Sequence, residues 1–547
     1  MPRSIILCTY IVLAVIMLFF SVSSAIFAAS LVNVPLNHQV YRFIDRLQAK
    51  GILGEYLSNS KPYSRGEVAE MIMQASLSLE DGRVKLTNID VELLEDLKRE
   101  FSNELADLGD PGVQGYKHLL DWADEDRMLV TEMGFMQDTS FNADGEAYTS
   151  TFKVSLYGDI YRNISFYNCS RASYNEGKEA PLWKRNDPRY LWRYPWSALS
   201  DAYVTFGIPK INVQAGKDAV LWGAGQHGVI GLTAIEPAFD LVRFRTKMWK
   251  LNFTSVLGFL RDDLTKEYQS QVPAKYLSAH RVEIIPYPGI SVAWQEVYIY
   301  AEKLHIELLN PIMPYQMAED YLGEIGNNTM EFDAEISLIP GAKVYSALFL
   351  DDFHPDRSPF KYSGFGWAVL GGTMIADPLG LDNTDLTLEY SRVEPWTYTH
   401  RGTLQDPPIP TAYKHFDEPL GHWIGPNADD LFAQVGWQIN RKIRGSVSYN
   451  RIRHGEVGGN IYDAPEDYDE DKTFLEGIVE NRRAVRLGFE YTAFHRTDLC
   501  VYYKCINIKN RQKEEAKLPK SSQRKQDWER GWNSTESEFG LTIQFTY

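Results

Sequence analysis

The sequence predicts an all-β transmembrane barrel of about 16–18 antiparallel strands preceded by a small α-helical periplasmic domain. Three observations predict it: alternation of apolar and polar residues over most of the chain, short connections alternating with long ones, and an apolar carboxyl-terminal strand. In that strand, "FGLTIQFTY", Phe539, Leu541, Ile543, Phe545 and Tyr547 alternate with Gly540, Thr542, Gln544 and Thr546. Side chains of a strand alternate between its faces, so one flank must be buried. A second sheet in a soluble sandwich or the lipid around an outer-membrane barrel could bury it.

The amino terminus favours export. "MPRSIILCTYIVLAVIMLFFSVSSAIFAAS" has Arg3, an apolar stretch from Ile5 to Phe20 and small residues from Ser23 to Ala29, which together read as a signal peptide at 1–29. A mean hydropathy of −0.32 excludes a polytopic helical membrane protein. With 56 basic against 73 acidic residues, nucleic acid is excluded as a partner. Outside the leader stand Cys169, Cys500 and Cys505, an odd number without metal-like spacing. Cys500 and Cys505 fall on opposite faces of one strand, which disfavours a bridge between them.

Residues 30–127 read as the helical domain. "NHQVYRFIDRLQAKGIL" places Val40, Phe43, Ile44 and Leu47 on one stripe, with Gly51 where a helix would end. "SRGEVAEMIMQA" opens with Ser64 and Glu67, a capping-box pair. "IDVELLEDLKREFSNELADL" carries a third stripe through Leu94, Leu97, Phe101, Leu105 and Leu108. Each stripe requires a partner surface.

Residues 128–547 read as the barrel. "FKVSLYGDIYRNISF", "DLTLEYS", "LFAQVGWQIN" and "AVRLGFEYTAF" alternate strictly, and the polar face repeatedly carries charge, as a watery lumen allows. Tight turns are expected at Asn142, Pro209, Pro288, Pro340 and near Arg441 and Arg496, separated by long aromatic and charged stretches. About 17 strand candidates can be counted, and single-chain bacterial barrels have even numbers, so 16 and 18 both remain open. The closing strand should present its apolar face to lipid.

Motifs for covalent chemistry are sparse. "GAGQHG" matches G-x-G-x-x-G by letters, but no helix follows it, so a tight loop folded into the barrel is the better reading than a dinucleotide site. "DDFHPD" (Asp351, Asp352, His354, Asp356) and the acidic run Asp463 to Asp471 read as solvated loops; no metal and no cofactor is assigned. No Gly-x-Ser-x-Gly, no His-Glu-x-x-His and no close serine, histidine and acid set occurs, and an enzyme is not expected.

Two resemblances add to this reading. "VPLNHQVYRFIDRLQAKGIL" followed by "PYSRGEVAEMI" is similar to an S-layer homology module, which implies a peptidoglycan contact through the helical domain. "VLWGAGQHGVIGLTAIEPAFDLVRF" and the run from "HRVEIIPYPG" through "NPIMPYQMAEDYLG" resemble the capsule assembly Wzi family, with its Trp-Gly-x-Gly, His-Arg-x-Glu and Asn-Pro-x-x-Pro-Tyr segments. That resemblance implies an outer-membrane barrel acting as a lectin for capsular or extracellular polysaccharide, surrounded by outer-membrane lipid and expected as a monomer. Sugar recognition uses aromatic faces and planar polar groups. On or near the resembling segments these are Trp222, His227, Arg243, Arg281, Glu283, Trp294, Glu296, Asn310 and Tyr315. The alternative is a porin for small solutes, tethered by its helices.

Overall fold

The computed structural model describes residues 30–547 except 57–58, 82–85, 111, 125–126, 143–144, 162, 177–195, 209, 262–273, 324, 352–356, 401–410, 417, 462–464, 466–470, 495 and 512–531. The expected signal peptide, most of "DDFHPD" and most of the acidic run lie outside the described residues.

Among the described residues, eighteen long strands close into one antiparallel barrel. The first nine are β1 (Arg127–Asn142), β2 (Gly145–Ile160), β3 (Ile164–Glu176), β4 (Trp196–Ile208), β5 (Ile211–Asp218), β6 (Phe239–Met248), β7 (Leu251–Leu260), β8 (Lys275–Tyr287) and β9 (Ile290–Ala301). The second nine are β10 (Gly326–Ile339), β11 (Ala342–Asp351), β12 (Gly366–Ala376), β13 (Thr384–Val393), β14 (Ala428–Asn440), β15 (Ile443–His454), β16 (Glu480–Phe494), β17 (Thr497–Arg511) and β18 (Trp532–Thr546). Closure joins the ends of the chain: Phe539 pairs with Phe141 and Thr546 with Gly134, and Tyr547 exchanges two 2.8 Å backbone bonds with Met133. Strand number is therefore 18.

Alternation decides which face meets which medium. Phe135, Phe152, Leu348, Leu431, Val447, Leu487, Phe539, Ile543 and Phe545 all project outward and stay exposed, forming an apolar belt. Their neighbours Gly134, Lys153, Gln434, Ser446, Arg486 and Gln544 face the lumen. Only lipid matches a belt of that kind, so the closed sheet is an outer-membrane barrel. Cys500 and Cys505 fall on opposite faces, and with Cys169 they are free thiols.

The expected turns near Pro209, Pro288, Pro340, Arg441 and Arg496 share one end of the barrel. The turn after Asn142 does not. Asn142 pairs with Gly145 at the opposite end, among the long connections, because β1 starts beside the terminal Tyr547 and runs away from the short-turn end.

Helices occupy the short-turn end. These are α1 (Val40–Ala49), α2 (Arg65–Glu80), α3 (Asn88–Glu100) and α4 (Ser102–Asp107). The expected capping box is present: Ser64 Oγ accepts from the Glu67 N–H at 3.1 Å, and Glu67 Oε2 accepts from the Ser64 N–H at 2.9 Å. The third stripe divides at Phe101, whose φ of −101° and ψ of 24° break the helix while its ring stays fully buried beneath the Arg65 guanidinium. The apolar stripes meet one another in a core of their own. Polar groups fasten this unit across the barrel. Ala49 O accepts from Gly341 N and Gly54 O from Gly289 N, each at 2.7 Å. Arg46 reaches Asp377 at 2.6 Å and Asp385 at 2.5 Å, and Lys343 reaches Asp45 at 2.5 Å.

A second core lies in the lumen itself. Val220, Trp222, Ile230 and Leu232, from the connection between β5 and β6, pack with Tyr398, Tyr413 and Leu420 against lumenal residues of β6 to β13. This half of the barrel is filled by side chains. Opposite it, β14 to β18 and β1 present polar side chains to the lumen.

Candidate functional site

The glycine-rich segment owes its shape to an anion, and the anion is the protein's own. The backbone N–H groups of Gln226, His227 and Gly228 donate to the Glu389 carboxylate at 2.7, 3.1 and 3.1 Å, and the Tyr345 hydroxyl donates to it at 2.8 Å. Consecutive amides cradling an anion are the geometry such loops offer phosphates. Here a lumenal carboxylate of β13 fills the cradle. Gly225 has φ +155°, and a Cβ there would stand 1.8 Å from Gly228 O. A Cβ on Gly231 would stand 1.5 Å from Glu331 Oε2, so backbone and wall meet too closely for any side chain.

The nine sequence-predicted residues fall into four places. Trp222 is 1% exposed, and its segment pairs with Ser60 and Lys61 of the helical unit, so its ring belongs to the lumenal core. Arg243, Arg281 and Glu283 are lumenal struts. Arg281 binds Asp333 at 2.6 and 3.1 Å, Ser60 Oγ at 3.0 Å and Gln295 at 3.0 Å. Glu283 accepts from Asn59 N at 3.1 Å and Ser60 Oγ at 2.7 Å. Arg243 donates to Gln214 and to Asp218, the latter at 3.2 Å, and these two also hold Asn33. Each fastens the amino-terminal segment to the wall.

Trp294, Glu296, Asn310 and Tyr315 lie on the outer side of the wall. Glu296 alternates with lumen-facing Gln295 and contacts His280 at 3.1 Å. It accepts the N–H groups of Tyr315 and Gln316, at 2.8 and 2.9 Å, at the start of α5 (Tyr315–Leu322). Trp294 packs against His280, and Asn310 turns the preceding loop by accepting the Ile312 N–H.

His227 alone of the nine opens on the polar half of the lumen. Its ring stacks on Phe432 at 3.8 Å with an interplanar angle of 3°, and meets Trp423 edge-on at 5.2 Å. Trp423 Nε1 donates to His227 O at 3.2 Å and the Trp423 side remains 46% exposed. Asn450 donates to Asp430 at 2.5 Å, and both approach His227 Nε2 at 3.4 Å. Burial, reinforced by Lys504, pushes the imidazole down to about 4, so it is neutral over the ordinary pH range. Lys504 stands directly across from Arg486 on the neighbouring strand and from Glu538 on the other. The Arg486 guanidinium lies 4.3 Å over the Tyr502 ring, whose hydroxyl donates to Glu538 at 2.5 Å. Exposed aromatic edges, an amide–carboxylate pair and a basic ladder therefore share one water-accessible wall. That combination suits a sugar polymer carrying carboxylate groups.

Sequence reasoning missed Trp423, Phe432, Asn450, Arg486, Tyr502 and Lys504. Phe432 had a signal: in "ADDLFAQVGWQIN" it is an aromatic on the face otherwise holding Asp430, Gln434 and Gln438. Below this wall, a cavity of about 730 Å³ opens at the short-turn end, lined by Arg42, Arg444, Glu490, Arg496, Lys153 and Asp96 among others. Arg42 and Arg444 share Glu490 there, at 3.1 and 3.5 Å. Among the described residues no group of metal-ligating side chains is assembled.

Comparison with known proteins agrees with this architecture. Residues 318–520 match the family model for the capsule assembly protein Wzi. The S-layer homology likeness gains no support. The chain superimposes on Wzi of Escherichia coli, described as a carbohydrate-binding β-barrel of the outer membrane involved in group 1 capsule assembly. The TM-score is 0.57 at 12% identity, over 94% of this chain and 99% of that one. OpdK of Pseudomonas aeruginosa, solved with vanillate, gives 0.45 at 8% identity over 77% of this chain and 99% of its own. OprD of the same organism gives 0.42 at 10% identity over 77% and 95%. No curated protein matches the chain at a significant level.

Proposed function

We propose that this outer-membrane barrel, which resembles the capsule assembly protein Wzi over residues 318–520, is a lectin holding extracellular polysaccharide at the cell surface. The long connections face outward and the helical unit faces the periplasm, as in bacterial barrels generally. The observation that carries the reading is the His227, Trp423 and Phe432 aromatic cluster beside the Arg486 and Lys504 ladder, open to the polar half of the lumen. Binding alone suffices: stacking and charge-assisted hydrogen bonds select the repeat unit, and repeated weak contacts along a polymer add avidity. The protein acts as a monomer and performs no covalent chemistry. Of the nine residues on the resembling segments, His227 touches the glycan; the others position the loop, the helices and the wall.

A conducting porin is the weaker reading. The lumenal core on one half and the helices across the short-turn end both oppose a through-channel. Titrating the detergent-solubilised protein with polysaccharide from its native envelope tests the proposal through tryptophan fluorescence. Saturable quenching that Trp423→Ala removes is the expected result. No change in emission at any polymer concentration would overturn it.

A further inference from the structure

Outward-facing positions near the long-loop ends of β8, β9 and β10 break the apolar belt. His280, Glu296 and Asn328 sit there, alternating with the lumenal residues Arg281, Gln295 and Asn327, yet all three are buried. Glu296 stands six residues into β9. With a rise of about 3.3 Å per residue and a tilt of about 40°, that is about 15 Å from the short-turn end, inside an apolar band of about 25 Å. A carboxylate facing hydrocarbon at that depth is strongly unfavourable.

Residues 302–323 of the connection remove the conflict by folding back over the outside of the wall. Its inner side packs Leu308, Tyr315 and Ala318 against Tyr298 and Tyr300 of β9. Glu296 latches it, accepting the first two N–H groups of α5 and one amide hydrogen from Asn328 at 3.1 Å. Its outer side carries Ile306 at 76% exposure, Ile312 at 81%, Met317 at 64% and Tyr321 at 79%. Four large apolar side chains thus stand proud of the wall beside the belt formed by Phe332 and Leu348. Glu302 and Lys303 lie where the connection leaves β9, toward the rim.

We infer that residues 302–323 form an amphipathic flap seated in the outer leaflet, with Ile312, Met317 and Tyr321 in contact with lipid acyl chains and Glu296 as its latch. The surface is continuous with the lipid-facing belt, and it restores at β8 to β10 the apolar face that the strands lack there. The flap stands apart from the glycan reading, since it lies on the other side of the wall from His227.

The test places one cysteine at a time in the full chain, with Cys169, Cys500 and Cys505 changed to serine, and labels it with an environment-sensitive fluorophore. Met317→Cys and Ile312→Cys report the flap, Leu348→Cys the belt and Glu418→Cys an exposed long-loop position. In liposomes containing phospholipid with a quencher high on its acyl chain, the flap labels should be quenched to within about twofold of the Leu348 label, and iodide in the buffer should reach them little. Quenching by iodide as strong as at Glu418, with the lipid quencher ineffective, would overturn the inference. The four reporter changes replace exposed side chains, and folding of each variant, and of the serine background that alters buried Cys169, is checked by the gel shift between boiled and unboiled samples.

Discussion

Two tryptophans from neighbouring lumenal segments carry opposite burdens. Trp222 is 1% exposed within the lumenal core, whereas Trp423 is 46% exposed and touches His227 edge-on. Replacing a buried tryptophan by alanine removes its packing and leaves a cavity, at a cost of about 3–5 kcal/mol. Trp222→Ala should therefore lower the thermal unfolding temperature of the detergent-solubilised barrel markedly. Trp423→Ala should leave unfolding unchanged and weaken polysaccharide binding about 2- to 10-fold, the value of one aromatic contact at about 0.5–1.5 kcal/mol. Arg281→Ala belongs with Trp222. It strands Asp333, Glu283 and Ser60 in a buried network, and breaking such a pair costs about 3–5 kcal/mol. Denaturant titration reads this directly, and an unchanged midpoint would show that Arg281 is not the strut its contacts describe.

At the scale of elements, strands were legible because lipid and water impose a two-residue period, and the closing strand pairs and faces as its pattern requires. The outer hairpin at Asn142 was not legible, because a tight turn looks alike at either end of a barrel. The flap left a signal in the sequence: His280–Arg281 and Gln295–Glu296 are adjacent polar pairs on strands, which puts polar groups on both faces. Both faces cannot be polar in lipid unless something covers one. The glycan wall was less legible, since its members come from separate strands and two lumenal connections and meet only when the barrel closes. The helical unit makes its own prediction. Burial alone would raise the Glu100 carboxyl, but His38 at 2.8 Å, with Arg496 and Arg65 beyond, holds it down to about 2. A carboxyl whose folded value lies below its unfolded value of 4.5 stabilises above 4.5 and loses that contribution as pH falls from about 4.5 toward 2. Pepsin digestion across that window should begin to release fragments from residues 30–127 while the barrel stays whole. Release already complete at pH 5 would contradict the stabilising role of Glu100.

For the molecule as a whole, an 18-stranded sheet is filled unequally: apolar loop residues and buried ionic struts fill one half, polar side chains line the more open other half, and helices cross one mouth. In planar bilayers the intact protein should pass little steady current, and a steady open-channel conductance would put the porin reading ahead of the lectin. The division of the lumen also assigns the work. The filled half and the helices hold the loop that carries His227, and the polar half presents Arg486, Lys504 and the aromatic edges to a chain arriving from outside. Polysaccharide retained on washed cells measures that assignment most directly, in a strain lacking the protein and complemented with either the native chain or Trp423→Ala combined with Arg486→Gln. The native chain should restore retention and the double variant, present in the outer membrane and still heat-modifiable, should release polymer to the medium as the deletion does. Equal retention by both would contradict a glycan site on the polar wall of the barrel.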